Sequence, residues 1–227
     1  MTANLKKDEK RRLITFIIVS ALYLIFLVFN VTYQAGILFL ALSFFSFLIV
    51  IFWDKIPKAK PERKLFSFEK DWFVDFVFGL GIGIIMFFVL SNIPGLSLVG
   101  PSLPASAAFP EPLAFAGQYA VISVAAPIVE EVAFRTVFFG VLFVVIGLSF
   151  FWSAFLSSLV FSLYHIKQYA GEIAIDPILS IQAAFLSAFV VALAFCYINK
   201  WRGSVSASTG AHSSLNTGIV ATQFSVA

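Results

Sequence analysis

Long apolar runs alternate with short polar breaks along this chain, and the runs have the length of a membrane. Residues 13–32, 35–53, 72–94, 117–147, 149–167, 177–198 and 204–222 each read as a helix. A hydrocarbon core about 30 Å thick needs about 20 apolar residues to cross it. A short connection around Asn30–Gln34 joins the first two runs. A charged linker with Pro57 and Pro61 fills 54–71, and a segment rich in Pro, Gly, Ser and Ala fills 95–116. The pattern predicts an all-α protein, a polytopic integral membrane helical bundle with about seven transmembrane helices. Gly79 and Gly83 give the third run a small-residue face for close helix packing. Pro127 predicts a kink one turn before Glu130. Pro177 stands at a favoured first helical position. Asp75, in the first turn of the third run, reads as an exposed helix-end acid without chemistry.

Composition sharpens this reading. Of the 227 residues 60% are hydrophobic and only 12% are charged, about half the charged share of an ordinary soluble domain. The basic residues are also segregated. Five lie in residues 1–12, six in the 54–71 linker, and Lys200 and Arg202 join them on the same side, which accounts for 13 of 15. The positive-inside rule then puts residues 1–12 and the linker in the cytoplasm. A multi-pass protein of the plasma membrane with a cytoplasmic N-terminus is expected. The net charge of +3 does not point to nucleic acid, because the cations flank hydrophobic segments instead of forming a basic face. Residues 13–32 are too long and bulky for a secretory signal and lack a small-residue cleavage site. Cys196, the single cysteine, lies in an apolar run and reads as an inert small hydrophobe. No internal repeat supports a duplicated transporter.

Against this apolar background, Glu130, Glu131 and Arg135 stand out inside a predicted span. A charge at bilayer depth costs about 2.5–3.5 kcal/mol on insertion scales, so such residues face a cavity or a partner. Glu131 and Arg135 are four apart on one helical face, acid first, and form a favourable pair. Glu130 is turned about 100° from Glu131 and is less available to that guanidinium. Both histidines of the chain, His165 and His212, also fall in apolar runs. His212 and Asn216 share one face of the last run. Ser206, Gly210, Ser214 and Gly218 form a small-residue ridge on the opposite face. A helix with both faces engaged touches little lipid, so this run is expected at the centre of the bundle, its polar stripe lining a cavity.

In order along the chain, Glu130-Glu131-x-x-x-Arg135, Phe161-x-x-x-His165 and His212-x-x-x-Asn216 resemble the motifs of the CPBP family. That family comprises the glutamate-type CAAX prenyl proteases and the bacteriocin-processing Abi proteins. The resemblance covers residues 115–222 and frames 117–222 as a catalytic core behind three N-terminal spans within 13–94. It implies an intramembrane endopeptidase with no metal and no cofactor, acting on a peptide or a prenylated protein among membrane lipid. Carried over, Glu130 is the general base and His165 holds the same water. His212 and Asn216 stabilise the oxyanion, with Glu131, Arg135 and Phe161 in support. Amide hydrolysis asks for these parts: an activated water, an oxyanion donor and a proton for the leaving amine. Adjacent carboxylates in different environments can take different acid–base roles.

Three other readings stand beside it. One Glu and two His are acceptable zinc ligands, although the helical HExxH spacing is absent. Ser213 or Ser214 beside His212 suggests a serine peptidase, although neighbours on a helix point apart. Intramembrane charges also mark transport paths, so a non-enzymatic transporter, immunity factor or assembly partner fits the composition. The resemblance implies substrates at the cytoplasmic side. The charge-derived topology instead puts the start of helix 117–147 and the His165 end of 149–167 nearer the opposite face.

Overall fold

The structure, a computed structural model, describes residues 71–93, 119–166 and 177–224, together with Ile14 and Ile18. The expectations for residues 1–12, for the rest of 13–53, for the linker up to Lys70 and for the segment 95–116 lie outside the described residues. Among the described residues there are five helices and no sheet: α1 (Trp72–Ser91), α2 (119–146), α3 (Phe150–Ile166), α4 (Pro177–Arg202) and α5 (Val205–Phe224). The all-α expectation holds, and each helix falls within a few residues of its predicted run.

The seven-span expectation is not reproduced at the same strength. Among the described residues α1 alone is long and apolar enough to cross a membrane, and α3 is apolar over Phe150–His165 but shorter. α2 is apolar but broken by wide turns into short pieces, whereas α5 falls short in apolarity because it is rich in Ser, Thr and Gly.

α5 is the centre of the described bundle. Its neighbours α1 and α4 share a core with it made of Leu90, Val191, Phe195, Ala211, Leu215 and Ile219. The predicted small ridge is the contact with α1. A Cβ at Gly79 or Gly83 would collide with the Ala207 or Ala211 carbonyl, and one at Gly210 would meet the Phe76 carbonyl. Ser214 and Gly218 on the same ridge face Gly83 and Phe87. Only glycine allows two backbones this near.

α4 runs four residues beyond its predicted end, and the reason is local. Gly203, at φ +72, stops the helix and donates its N–H to the Asn199 carbonyl at 2.7 Å. The turn is then used to start α5. Ser206 N–H donates to Ser204 Oγ at 3.2 Å, and Ser208 N–H donates to Asn199 Oδ1 at 3.1 Å. Two of the first-turn donors of α5 are thereby satisfied.

The extra turn of α4 also corrects the reading of Asp75. It is buried, at 3% exposure, and accepts from Arg202 Nε at 2.8 Å. Arg202 in turn lies over the Phe78 ring, 5.0 Å from its centroid. The acid is therefore a helix–helix clamp and not a solvated helix end. Lys200 sits over Phe150 at 4.4 Å, and Phe150 meets Tyr197 edge-on at 5.2 Å. These contacts gather the starts of α1 and α3 and the end of α4 at one end of the bundle. Trp72, Trp152 and Trp201 are all exposed there.

α2 is not a uniform α-helix. Wide π turns at Val121–Ala125 and Val132–Phe138 bracket the α-helical piece Ala126–Glu131. Pro127 lies in the first turn of that α-helical piece, directly after the first wide turn. Ala126 N–H bonds five residues back, to the Val121 carbonyl. Such wide turns are frequent at functional sites.

Candidate active site

Adjacent residues diverge by about 100° on a helix, so the two glutamates of α2 meet different partners. Glu130 Oε2 lies 3.6 Å from His165 Nε2 on α3 and 3.6 Å from His212 Nε2 on α5. Glu131 Oε2 lies 3.3 Å from Arg135 Nε, the expected pair one turn away, and Oε1 lies 3.1 Å from His212 Nδ1. Glu131 and Arg135 have no exposed surface, and Glu130 and His212 have 5% each. Three helices thus bring four ionisable groups of α2 and α5, and His165 of α3, into one buried cluster.

Aromatic rings and a backbone carbonyl hold Arg135. Its Cζ lies 4.4 Å from the Phe161 centroid and 5.5 Å from that of Phe195. Its Nη2 donates to the Ala192 carbonyl at 3.4 Å. A guanidinium between ring faces gains cation–π attraction where water cannot reach it. Phe161 has a second contact, with its ring 4.1 Å from that of His165.

The hydrogen bonds assign the ring nitrogens. His165 Nδ1 is 2.8 Å from the Phe161 carbonyl, which can only accept, so Nδ1 carries a proton. In the neutral ring, the lone pair of Nε2 then faces Glu130. By the same reasoning His212 Nδ1 donates to Glu131, and its Nε2 is the nitrogen turned towards Glu130. At 3.6 Å the contacts to Glu130 are too long for direct hydrogen bonds. Two acceptors at this spacing, Glu130 Oε2 and His165 Nε2, suit one small hydroxyl-bearing molecule that donates to both.

Asn216 lies one turn beyond His212 and faces α2, as the shared stripe requires. Its Nδ2 donates to the Ile122 carbonyl at 3.1 Å. The contact shown is with the helix backbone of α2 and not with the glutamates or histidines. Among the serines, Ser214 Oγ shares its proton between the Gly210 and Ala211 carbonyls of its own helix, 3.2 Å from each. It lies on the α1 side, which leaves it no part in a nucleophile pair with His212. Among the described residues no group of three His, Cys, Asp or Glu side chains is disposed to hold a metal ion.

Some contributors carry no signal in the sequence. Phe195 is one of 29 phenylalanines, and the Ala192 carbonyl is a main-chain atom. Ser157 Oγ donates to the Phe134 carbonyl at 2.6 Å, inside the second wide turn of α2, and reads in sequence as one more packing serine.

Comparison with known proteins adds one finding. The family model described as type II CAAX prenyl endopeptidase Rce1-like matches residues 112–218, a stretch that includes each residue of the cluster and Asn216. No curated protein and no solved structure matches the chain.

Proposed function

We propose that the chain, whose residues 112–218 match the family model described as type II CAAX prenyl endopeptidase Rce1-like, is a glutamate-type intramembrane endopeptidase that works without a metal. The observation that carries the proposal is the convergence of His165 Nε2 and His212 Nε2 on Glu130 Oε2, each at 3.6 Å.

In this mechanism a water molecule donates one hydrogen bond to Glu130 and one to His165 Nε2. Glu130 takes its proton as the oxygen attacks the scissile carbonyl carbon. The carbonyl oxygen becomes an oxyanion and is met by donors from α5, His212 and Asn216. For Nε2 of His212 to donate while Nδ1 donates to Glu131, the ring is the imidazolium. Glu131 and Arg135 then complete a cluster in which two carboxylates face two cations, an arrangement that offsets the cost of burial. Collapse of the intermediate breaks the C–N bond. The proton held by Glu130 passes to the leaving amine, and a carboxylic acid product remains.

The bundle is read as a membrane protein of about seven spans with a cytoplasmic N-terminus. Support comes from the 13 of 15 basic residues on one side of the predicted topology and from exposed Trp72, Trp152 and Trp201 at one end of the bundle. Tryptophan in such a belt marks the lipid–water interface. The substrate class is a peptide or a prenylated protein. The test is cleavage of a peptide library, with and without a prenyl group, by the purified wild type and the Glu130→Gln variant. Cleavage by the wild type and none by the variant is expected, and equal cleavage by both overturns the proposal.

A further inference from the structure

A single carbonyl on α2 connects the proline of that helix to the asparagine of α5. In an α-helix the Ile122 carbonyl would accept from the N–H of residue 126, four along. In this wide turn Ala126 N–H goes to the Val121 carbonyl instead. The next donor in the widened register is residue 127, five along, and that residue is Pro127, which has no N–H. Neither backbone donor that would ordinarily serve Ile122 does so. Asn216 Nδ2 supplies the hydrogen bond from another helix, at 3.1 Å.

The partner dictates how the carboxamide is turned. A carbonyl accepts and never donates, so Asn216 must present its NH2 group to Ile122 and not its oxygen. One N–H is used, and the second is left on the same nitrogen, held in the amide plane. We propose that Pro127, three residues before Glu130, is a positioning residue: by withholding an N–H from the Ile122 carbonyl, it docks the Asn216 carboxamide there donor-first. The inference rests on the function proposed above, in which that second N–H serves the oxyanion. It assigns to Pro127 a role different from bending α2.

A cycle of Pro127→Ala, Asn216→Ala and the double variant tests this, with kcat, KM and melting temperature measured in one detergent. Alanine is the better helix former, so Pro127→Ala is expected to fold, and its new N–H competes with Asn216 for Ile122. It lowers kcat by roughly 10-fold or more and leaves KM within about 2-fold, the pattern for loss of an interaction made only in the transition state. Asn216→Ala lowers kcat by about 10²–10³. The double variant is no slower than Asn216→Ala alone, because the carboxamide was already undocked. Melting is read independently of catalysis. With Pro127 in place, Asn216→Ala strands the Ile122 carbonyl and lowers the melting temperature by a few degrees. In the Pro127→Ala background that carbonyl has a backbone donor, and the same Asn216→Ala change has little effect on melting.

Rate losses that multiply across the cycle, or an unchanged kcat in Pro127→Ala, overturn the positioning role. An equal fall in melting temperature from Asn216→Ala in both backgrounds overturns the contact itself. If the wild type cleaves no peptide at all, it is the peptidase reading that fails, and the melting cycle alone decides whether Pro127 governs Asn216.

Discussion

Glu131 Oε1 lies 3.1 Å from His212 Nδ1, across a gap of 81 residues in sequence. The same carboxylate lies 3.3 Å from Arg135 Nε through its other oxygen. One side chain thus fixes the orientation of the α5 imidazole and neutralises the α2 guanidinium. Its neighbour Glu130 is left to face both histidine Nε2 atoms. The division of labour between the two glutamates rests on this bridge, and the first expectation follows from it.

Glu130→Gln should give a folded protein without peptidase activity. Among the described residues its carboxylate meets the two histidines only at 3.6 Å, too long for a direct hydrogen bond, and loss of a positioned base costs about 10²–10⁴ in rate. Glu131→Gln should behave differently. It leaves Arg135 buried without its anion, and breaking a buried pair costs about 3–5 kcal/mol. Melting temperature and cleavage rate measured together separate the two. A Glu131→Gln protein as stable as the wild type would remove the bridge from the account.

Exhaustive chelation should leave turnover unchanged, and purified protein should carry metal well below one equivalent. The expectation comes from the proposed roles of Glu130 and His165, which ask for water and lone pairs and not for a Lewis acid. Elemental analysis and an assay in chelator check it. Inactivation that added zinc reverses would shift the assignment to a His/Glu zinc site.

Gly210→Leu should damage folding before it affects chemistry, because even a Cβ at that position collides with the Phe76 carbonyl. Asn216→Ala, on the opposite face, should melt within a few degrees of the wild type and lose about 10²–10³ in turnover. Comparing both variants in the same detergent distinguishes a ridge that packs from a stripe that acts. Equal melting losses would make the stripe structural.

Asp75→Asn should destabilise modestly without slowing cleavage. The Asp75–Arg202 clamp ties the start of α1 to the end of α4, at the end of the bundle marked by exposed tryptophans, while His165 lies in the last turn of α3. Arg202 is about a third exposed in its side chain, so solvent screens the pair and its loss should cost about 1 kcal/mol or less. Thermal melts with parallel kinetics provide the check. A drop in turnover larger than the drop in folded protein would connect this clamp to the site.

A reporter fused at Glu172, outside the described residues, should read as non-cytoplasmic. The basis is the charge asymmetry of the chain, with 13 of 15 basic residues on the other side. Paired cytoplasmic-active and externally active reporters decide the orientation. A cytoplasmic reading at Glu172 would reverse the later helices and bring the His165 end to the cytoplasm.

The five described helices were legible in the sequence, because apolar run length and the Gly and Pro stops are local signals. The Glu131–Arg135 pair and the ridge of Gly210, Ser214 and Gly218 were legible for the same reason, since spacing of four on one helix is enough to define a face. Relations between helices were not. Asp75 and Arg202, 127 residues apart, meet because α4 continues one turn past its predicted end before Gly203 stops it, and no pattern near Asp75 announces that. Which nitrogen of which histidine faces Glu130 depends on the rotation of α3 and α5 about their axes. The bond from Asn216 to Ile122 needs both the widened turn of α2 and the close approach of α5. Those rotations and approaches are set by packing across the whole bundle, as where the Gly79 and Gly83 contacts with α5 bring two backbones together. They are properties of the assembled bundle, and the order of residues within a single helix does not carry them.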